Sequence, residues 1–500
     1  MDQPEILTPP PAQVVRVRGF VKQYKQHIAV SGVDLEIHKG EIYGLIGPDG
    51  AGKSSLMKAI AGVLTYEGGA VEVFGTMIDS ERAAERVKQR LGFLPQGLGL
   101  NLYPDLSVDE NIDFFARLRL VPEHELAERK ARLLAMTRLD KFRARAMKNL
   151  SGGMKQKLGL ICTLIHEPEL AILDEPTTGV DPVSRRDFWA ILGELLRERG
   201  MTALVSTAYM DEAERFHRLS FLSSGKVLAS GTPAEVHALV PGFMVTFEAA
   251  PQLEAIARLK TGYTQVEALG PVLRVFTEDT DPVFAAQAIT SSLGDIEPQQ
   301  LRVDELELED VFVALLLRQS DQPPSPELPA ASVSPANHGL AIEAKGLIRD
   351  FGTFRAVDRV SFQVKPGEIF GLLGANGAGK TTVIKMLNGI LPPTGGEGWV
   401  AGEDMKTAGG AIKERIGYMS QAFSLYLDLT VEENIRLFAG IYGLDRRATN
   451  ERLAWIVSMA GLQGYESNLT VRLPMGVRQR LALGCALVHQ PRVLFLDEPT

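Results

Sequence analysis

The hydrophobic pattern of this chain runs twice. Val14-Val-Arg-Val17 and Val33-Asp-Leu-Glu-Ile37 alternate apolar and polar positions, which predicts half-exposed strands. Glu41-Ile-Tyr-Gly-Leu-Ile46 is a short apolar run and predicts a buried strand; Ser55-Leu-Met-Lys-Ala-Ile60 after it predicts a helix. Val71-Glu-Val-Phe74 predicts a strand ending at Gly75, and Leu91-Gly-Phe-Leu-Pro-Gln96 predicts another. Between about residues 108 and 149 the chain is rich in Leu, Ala, Arg and Glu. It predicts helices there, such as 109–118 and 125–134, with solvated charged faces. Leu170-Ala-Ile-Leu-Asp174 and Thr202-Ala-Leu-Val-Ser-Thr207 predict two more apolar strands.

The pattern then changes. Residues from about 243 to 317 predict a separate small α+β domain of order βαββα. Its strands lie at 243–247, 265–268 and 272–276, with helices around 253–257 and 282–293. Gln322–Pro335 is a Pro/Ser/Ala tether whose composition cannot pack a core and predicts an extended, mobile linker. After it the first pattern restarts. Glu368-Ile-Phe-Gly-Leu-Leu373 nearly repeats the strand at 41–46, and Val493-Leu-Phe-Leu-Asp497 repeats the one ending at Asp174. Strands alternating with helices, twice over, predict an α/β fold in tandem.

Composition changes this picture little. A length of 500 residues suits about three domains. Hydrophobic content of 45% and charged content of 23% are ordinary for a globular chain. A net charge of −9 argues against a surface whose main task is gripping nucleic acid. Cys162 and Cys485 occupy matching apolar helical stretches and read as small core residues, not as a disulfide or metal pair. The acidic, Pro-rich start lacks the form of a secretory signal. No run approaches the roughly 18 apolar residues of a membrane helix, so the chain reads as soluble.

The chemistry lies in the junctions. Gly47-Pro-Asp-Gly-Ala-Gly-Lys53-Ser54 stands between a predicted strand and a predicted helix. In that context the pattern is a P-loop: glycines let backbone N–H groups close around phosphates at a helix N-terminus. Gly47, Pro48, Asp49, Gly50, Ala51, Gly52, Lys53, Ser54 and Ser55 are therefore candidate phosphate-binding residues. The copy supplies Gly374, Ala375, Asn376, Gly377, Ala378, Gly379, Lys380, Thr381 and Thr382. Lys53 and Lys380 can reach the β- and γ-phosphates of ATP, and the hydroxyls of Ser54 and Thr381 can ligate Mg²⁺. Gln96 and Gln421 end strands with an amide suited to meeting Mg²⁺ or water. Asp174 and Asp497 end apolar strands and are candidate Mg²⁺ ligands; Glu175 and Glu498 beside them are candidates to polarise the attacking water. Ser151, Gly152 and Gly153, within Leu150-Ser-Gly-Gly-Met-Lys-Gln156, open a helix and offer a second anion site.

Taken in order, Tyr24, the P-loop, Gln96, the Ser151 signature and the acidic strand resemble an ATP-binding cassette, the motor domain of ABC transporters, over about residues 13–240. The resemblance implies that Tyr24, and Phe351 in its place in the copy, stack on adenine. It also implies that two cassettes close head to tail, so that each ATP lies between one P-loop and the other cassette's signature. The expected organisation is a disordered 1–12, a first cassette at 13–241, the small domain at 242–318, a linker at 319–340 and a second cassette at 341–500. That second cassette is expected to be incomplete, because the chain stops at the acidic strand, and the chain is therefore read as a fragment.

Two departures from the family pattern are visible. Ala208 stands where the family places a histidine against the γ-phosphate. Leu473-Pro-Met-Gly-Val-Arg-Gln479 replaces the signature; Pro474 has neither N–H nor hydroxyl. Both departures fall in the composite pocket of Lys53, which predicts one weak and one hydrolytic site.

Residues 97–103, 207–216 and 418–426 resemble the bacterial ribosome-associated ATPase group, tandem cassettes of the drug-exporter type. This implies an efflux ATPase at the cytoplasmic face of the inner membrane. Its partner would be an ABC-2-type permease, fused beyond residue 500 or separate. A tandem-cassette translation factor acting on the ribosome is the alternative, but it would need a long charged helical linker. A DNA-repair cassette would need a coiled coil between P-loop and signature; no sustained heptads appear, so no DNA partner is expected.

Overall fold

The computed structural model describes residues 12–25, 27–97, 101–319, 339–374, 377–407, 409–420 and 425–497. Of the candidate residues, Ala375, Asn376, Gln421 and Glu498 lie outside the described residues, as do 1–11 and the tether 320–338. The chain divides into two compact units, residues 1–322 and 323–500.

In the first unit, β1 (Gln13–Tyr24), β2 (His27–His38), β4 (Gly68–Val73) and β5 (Thr76–Met77) form an antiparallel sheet ordered β2-β1-β4-β5. The alternation expected on β1 is present: Val15, Val17 and Phe20 are buried, Arg16 and Arg18 exposed. A second sheet has the order β10-β9-β3-β8-β7-β6, built from β3 (Ile42–Ile46), β6 (Leu91–Leu94), β7 (Leu170–Asp174), β8 (Thr202–Thr207), β9 (Arg218–Ser223) and β10 (Lys226–Gly231). All its pairs are parallel except β9–β10. Every residue of β7 and β8 is buried, as central parallel strands covered on both faces require.

The helices are α1 (Lys53–Ile60), α2 (Glu81–Lys88), α3 (Val108–Leu118), α4 (Glu123–Thr137), α5 (Gly152–Leu164), α6 (Pro182–Arg199) and α7 (Pro233–His237). One core joins the two sheets and α1 through Phe20, Ile37, Leu45, Leu56, Ile60, Ile172 and Leu204. A second lies under α3 to α6 and includes Ile112, Leu158, Ile161, Phe188, Leu192 and Val205. Because β3, β7 and β8 are parallel neighbours, the segments that follow them leave the sheet at one edge, where ligands of open α/β sheets bind.

Residues 243–319 form β11 (Phe243–Glu248), α8 (Gln252–Leu259), β12 (Val266–Leu269), β13 (Val272–Thr277), α9 (Pro282–Leu293), β14 (Gln299–Asp304) and α10 (Leu308–Gln319). The sheet order β12-β13-β11-β14 is that of a split βαβ unit. The sequence pattern had not predicted β14: Gln299-Gln-Leu-Arg-Val-Asp304 is mostly polar and exposed at the sheet's edge. One sheet face carries a core of Val245, Phe247, Leu259, Leu273 and Ile289. Met244 and Phe276 instead join the larger core of the first unit, with Val311, Phe312 and Ala314 of α10.

In the second unit, β15 (Ile342–Phe351), β16 (Phe354–Val364), β17 (Gly395–Val400) and β18 (Glu403–Asp404) repeat the antiparallel sheet in the order β16-β15-β17-β18. The helices α11 (Lys380–Leu387), α12 (Gly409–Arg415), α13 (Val431–Ile441), α14 (Arg446–Met459) and α15 (Met475–Ala486) follow, and β19 (Ile416–Met419) pairs parallel with β20 (Val493–Leu496). The strand expected at 368–373 does not form; Ile369 and Leu373 are 94% and 92% exposed. The cause is missing neighbours. In the first unit β3 hydrogen-bonds to β8 and β9, and the described residues of the second unit contain no counterpart of either.

His166, just past α5, donates from Nε2 to the Leu91 carbonyl at 3.0 Å and so ties the helical layer to the start of β6. Burial pushes its pKa down to about 4, with repulsion from Arg119 and Arg129 adding to the effect. The neutral ring is the folded form, so its stabilising contribution is complete above about pH 6.5, the unfolded value, and is lost as pH falls towards 4. His166→Gln should therefore flatten the pH dependence of urea unfolding between pH 6.5 and 4 by up to about 1.4 kcal/mol per pH unit. An unchanged slope would contradict the burial argument.

Candidate functional site

The P-loop turn is set by sterics. Gly52 has φ 100°, and a Cβ there would lie 2.6 Å from Val30 Cγ2 and 2.8 Å from the Ala29 carbonyl. Gly379 repeats this at φ 93°, with 2.5 Å to the Ala356 carbonyl. No side chain fits either place. Asp49 and Gly50 are exposed at the tip, and Ala51 N–H closes the turn on the Pro48 carbonyl at 3.2 Å. Ser54 and Ser55 sit half-buried in the first turn of α1.

Lys53 is 3% exposed. Its Nζ donates to the Gly47 carbonyl at 2.7 Å and to the Pro48 carbonyl at 3.1 Å, and it pairs with Glu175 Oε1 at 3.2 Å. The other oxygen of Glu175 accepts from Gln96 Nε2 at 2.7 Å and from Thr178 Oγ1 at 3.2 Å. Three candidates far apart in sequence thus meet around one carboxylate. Tyr24 reaches the same turn: its hydroxyl lies 3.2 Å from Ser55 Oγ, and its ring is 45% exposed.

Asp174 and Glu175 are held from the neighbouring strand. Ser206 on β8 donates to Asp174 Oδ1 at 2.7 Å and accepts the Glu175 N–H at 2.8 Å. Glu175 stands in the left-handed region at φ 48°, which turns its side chain off the strand axis. Behind them, Glu212 accepts from Thr177 Oγ1 at 2.9 Å and from Trp189 Nε1 at 2.7 Å, pinning the turn after Glu175 to α6. The sequence reading had not singled out Ser206, Thr178 or Glu212. The available signal was a hydroxyl inside the otherwise apolar run 202–206.

The second unit shows the same parts. Lys380 Nζ donates to the Gly374 carbonyl at 2.7 Å, and Thr381 Oγ1 donates to Asp497 Oδ1 at 3.1 Å. Phe351 is 47% exposed. Gly377, Ala378, Gly379 and Thr382 flank Lys380 and Thr381 in the same turn and helix.

Asp174 Oδ2 and Asp497 Oδ2 are both buried and have no hydrogen-bond partner among the described residues. An orphaned carboxylate oxygen at both strand ends, with Thr381 beside one of them, fits a hard divalent cation that takes its remaining ligands from phosphate and water. Among the described residues no group of three or more acidic, His or Cys side chains is placed to hold a metal ion.

Ser151 caps α5, accepting the Met154 N–H on its hydroxyl at 3.4 Å, while Gly153 is buried against Ser184. At the matching place Pro474 begins α15 without a side-chain cap, and Met475 is 46% exposed. The hydroxyl-and-glycine opening is lost, as the sequence indicated. Ala208 follows β8 with only a methyl group, and Tyr209 N–H turns back to Thr207 Oγ1 at 3.0 Å.

A triphosphate turn, a buried lysine, and a strand-end Asp-Glu pair read by a glutamine define a nucleotide-hydrolysing P-loop site. The family model of ABC transporters matches residues 30–178 and 357–500, and the chain belongs to that family: it is a tandem ATP-binding cassette ATPase. It is 41% identical over 500 residues to "Probable multidrug ABC transporter ATP-binding protein YbhF" of Escherichia coli (strain K12), covering 97% of this chain and 84% of that protein. It is 34% identical over 275 residues to the Nod factor export ATP-binding protein I of Cupriavidus metallidurans, covering 55% of this chain and 89% of that one. No helix among the described residues is long and apolar enough to cross a membrane.

Proposed function

We propose that this chain is the ATP-driven motor of an ABC-2-type, multidrug-like exporter, acting with a membrane permease at the cytoplasmic face of a bacterial inner membrane. The observation that carries the reading is the meeting of Lys53, Gln96 and Glu175, two buried charges and an exposed amide, around one carboxylate. An amide that touches the would-be base can report the state of the phosphate to whatever the segment after Gln96 contacts. Further along the sequence, Tyr103 and Phe114 pack edge-on at 4.6 Å and remain 46% and 38% exposed. Such a patch suits an apolar partner helix. The similarity to a multidrug and to a Nod-factor export ATP-binding protein supports export as the task.

In this reading ATP binds with its adenine on Tyr24 or Phe351 and its phosphates in the P-loop. Arriving phosphate takes Lys53 from Glu175; at the hydrolytic site the carboxylate after Asp497, Glu498, accepts a proton from the attacking water. Ser54 and Asp174, or Thr381 and Asp497, would hold Mg²⁺, which neutralises phosphate charge when bound. The cassettes close head to tail, so Ser151, Gly152 and Gly153 serve the second P-loop and the altered 473–476 segment serves the first. The Lys53 site is then the weak one and the Lys380 site the hydrolytic one.

Glu498→Gln should reduce ATPase turnover far more than Glu175→Gln, by a factor of 10 or more, in a chain extended past residue 500. Equal losses would remove the asymmetry. The exporter reading itself is tested by fractionating the native protein. Retention in carbonate-washed membranes is expected if the permease is fused, and co-purification with a permease from detergent-extracted membranes if it is separate; salt-resistant sedimentation with ribosomes and absence from membranes would replace the exporter reading with the translation reading.

A further inference from the structure

We propose that Lys22 and Arg349 are positioning residues for the adenine base, each holding and charging the back of the aromatic ring on which the base stacks. The inference rests on the reading of Tyr24 and Phe351 as adenine platforms and adds the groups that tune them. Lys22 Nζ lies 5.0 Å from the centre of the Tyr24 ring. Arg349 Cζ lies 4.7 Å from the centre of the Phe351 ring. Each cation precedes its ring by two residues on a strand, and in both strands the pairing register shifts between them, which lets the cation come over the ring.

The pair is built by different means in the two units. Lys22 is 5% exposed, and its Nζ donates to Glu67 Oε1 at 2.8 Å while Glu67 Oε2 accepts the Gln23 N–H at 2.7 Å. In the second unit Arg349 donates to the Pro392 carbonyl at 2.6 Å, and Thr394 Oγ1 accepts the Asp350 N–H at 3.1 Å. The anchors changed from a carboxylate to a carbonyl and a hydroxyl, yet a cation still sits over the ring. Burial of the aromatic does not explain this, because Tyr24 and Phe351 are 45% and 47% exposed. Nor does the Tyr24 hydroxyl's contact with Ser55, which Phe351 cannot make.

The physical effect follows from the ring's charge distribution. Aromatic faces are negative, so two rings brought face to face repel through their π clouds. A cation on one face draws π density towards itself and leaves the opposite face a better platform for the electron-rich adenine. It also restricts rotation of the ring before the base arrives. Lys22 is already desolvated and paired with Glu67, so little reorganisation accompanies binding.

The test uses the full chain with Lys380→Ala to silence the second P-loop, and titrates it with ATP and with inorganic triphosphate, which has no base. Lys22→Met should weaken ATP binding about three- to fivefold, leave triphosphate binding unchanged, and be rescued by Lys22→Arg. Tyr24→Ala should lose at least as much for ATP alone. If Tyr24→Ala changes the ATP-to-triphosphate ratio and Lys22→Met does not, the cation has no role and the platform reading survives. If neither changes the ratio, the platform reading fails and takes this inference with it. If Lys22→Met weakens both ligands equally, Lys22 supports the fold and not the base. Should Lys22→Met not fold, Arg349→Met with Lys53→Ala puts the same question to the second site, where the same preferential loss of ATP is expected and an unchanged ratio refutes the proposal.

Discussion

A buried ammonium organises this molecule. Lys53 has almost no solvent, and its charge is shared among two P-loop carbonyls and the Glu175 carboxylate. Breaking such a pair by removing one partner costs several kcal/mol, because the other is left charged in a dry place. The turn, the strand-end carboxylate and the glutamine are therefore tied together before any nucleotide arrives. In the proposed cycle phosphate replaces Glu175 as the partner of Lys53, and that exchange would convert binding into movement of a carboxylate.

The rest of the fold supplies the fixed points for that exchange. The parallel order β3-β8-β7 puts the turn, Ser206 and the Asp174-Glu175 pair side by side. Glu175 is kept in a left-handed backbone conformation by the Ser206 hydroxyl on one side and by the loop that Glu212 pins to Trp189 on the other. The described residues of the second unit include no counterpart of β8 or β9. The same apolar sequence stays unpaired at 368–373, although the glycine turn after it keeps its shape at Gly379. Turn geometry is local; strand geometry depends on partners.

That contrast explains how much was legible in the sequence. The P-loop, the acidic strands and the Ser151 cap are local chemical requirements, and each appears where residue type and spacing placed it. The parallel strands were legible because burial on both faces demands unbroken apolar runs. Strand β14 was not, because its inward side offers only Leu301 and Val303 between exposed polar residues, too short an alternation to stand out. The strand at 368–373 was expected and is absent, because a pattern cannot state whether neighbours are present. Ser206 and Glu212 make their contacts between segments distant in sequence, and no spacing rule announces them.

The central claim is that Glu175 and phosphate compete for Lys53. It is tested most directly by calorimetric titration of a non-hydrolysable ATP analogue, with Mg²⁺, into the chain carrying Lys380→Ala, with and without Glu175→Gln. Removing the competing carboxylate while keeping its shape should tighten binding about tenfold, the scale of one charge-assisted hydrogen bond. Unchanged or weaker binding would mean that the Lys53–Glu175 pair is a passive feature of the fold and not the element that nucleotide displaces.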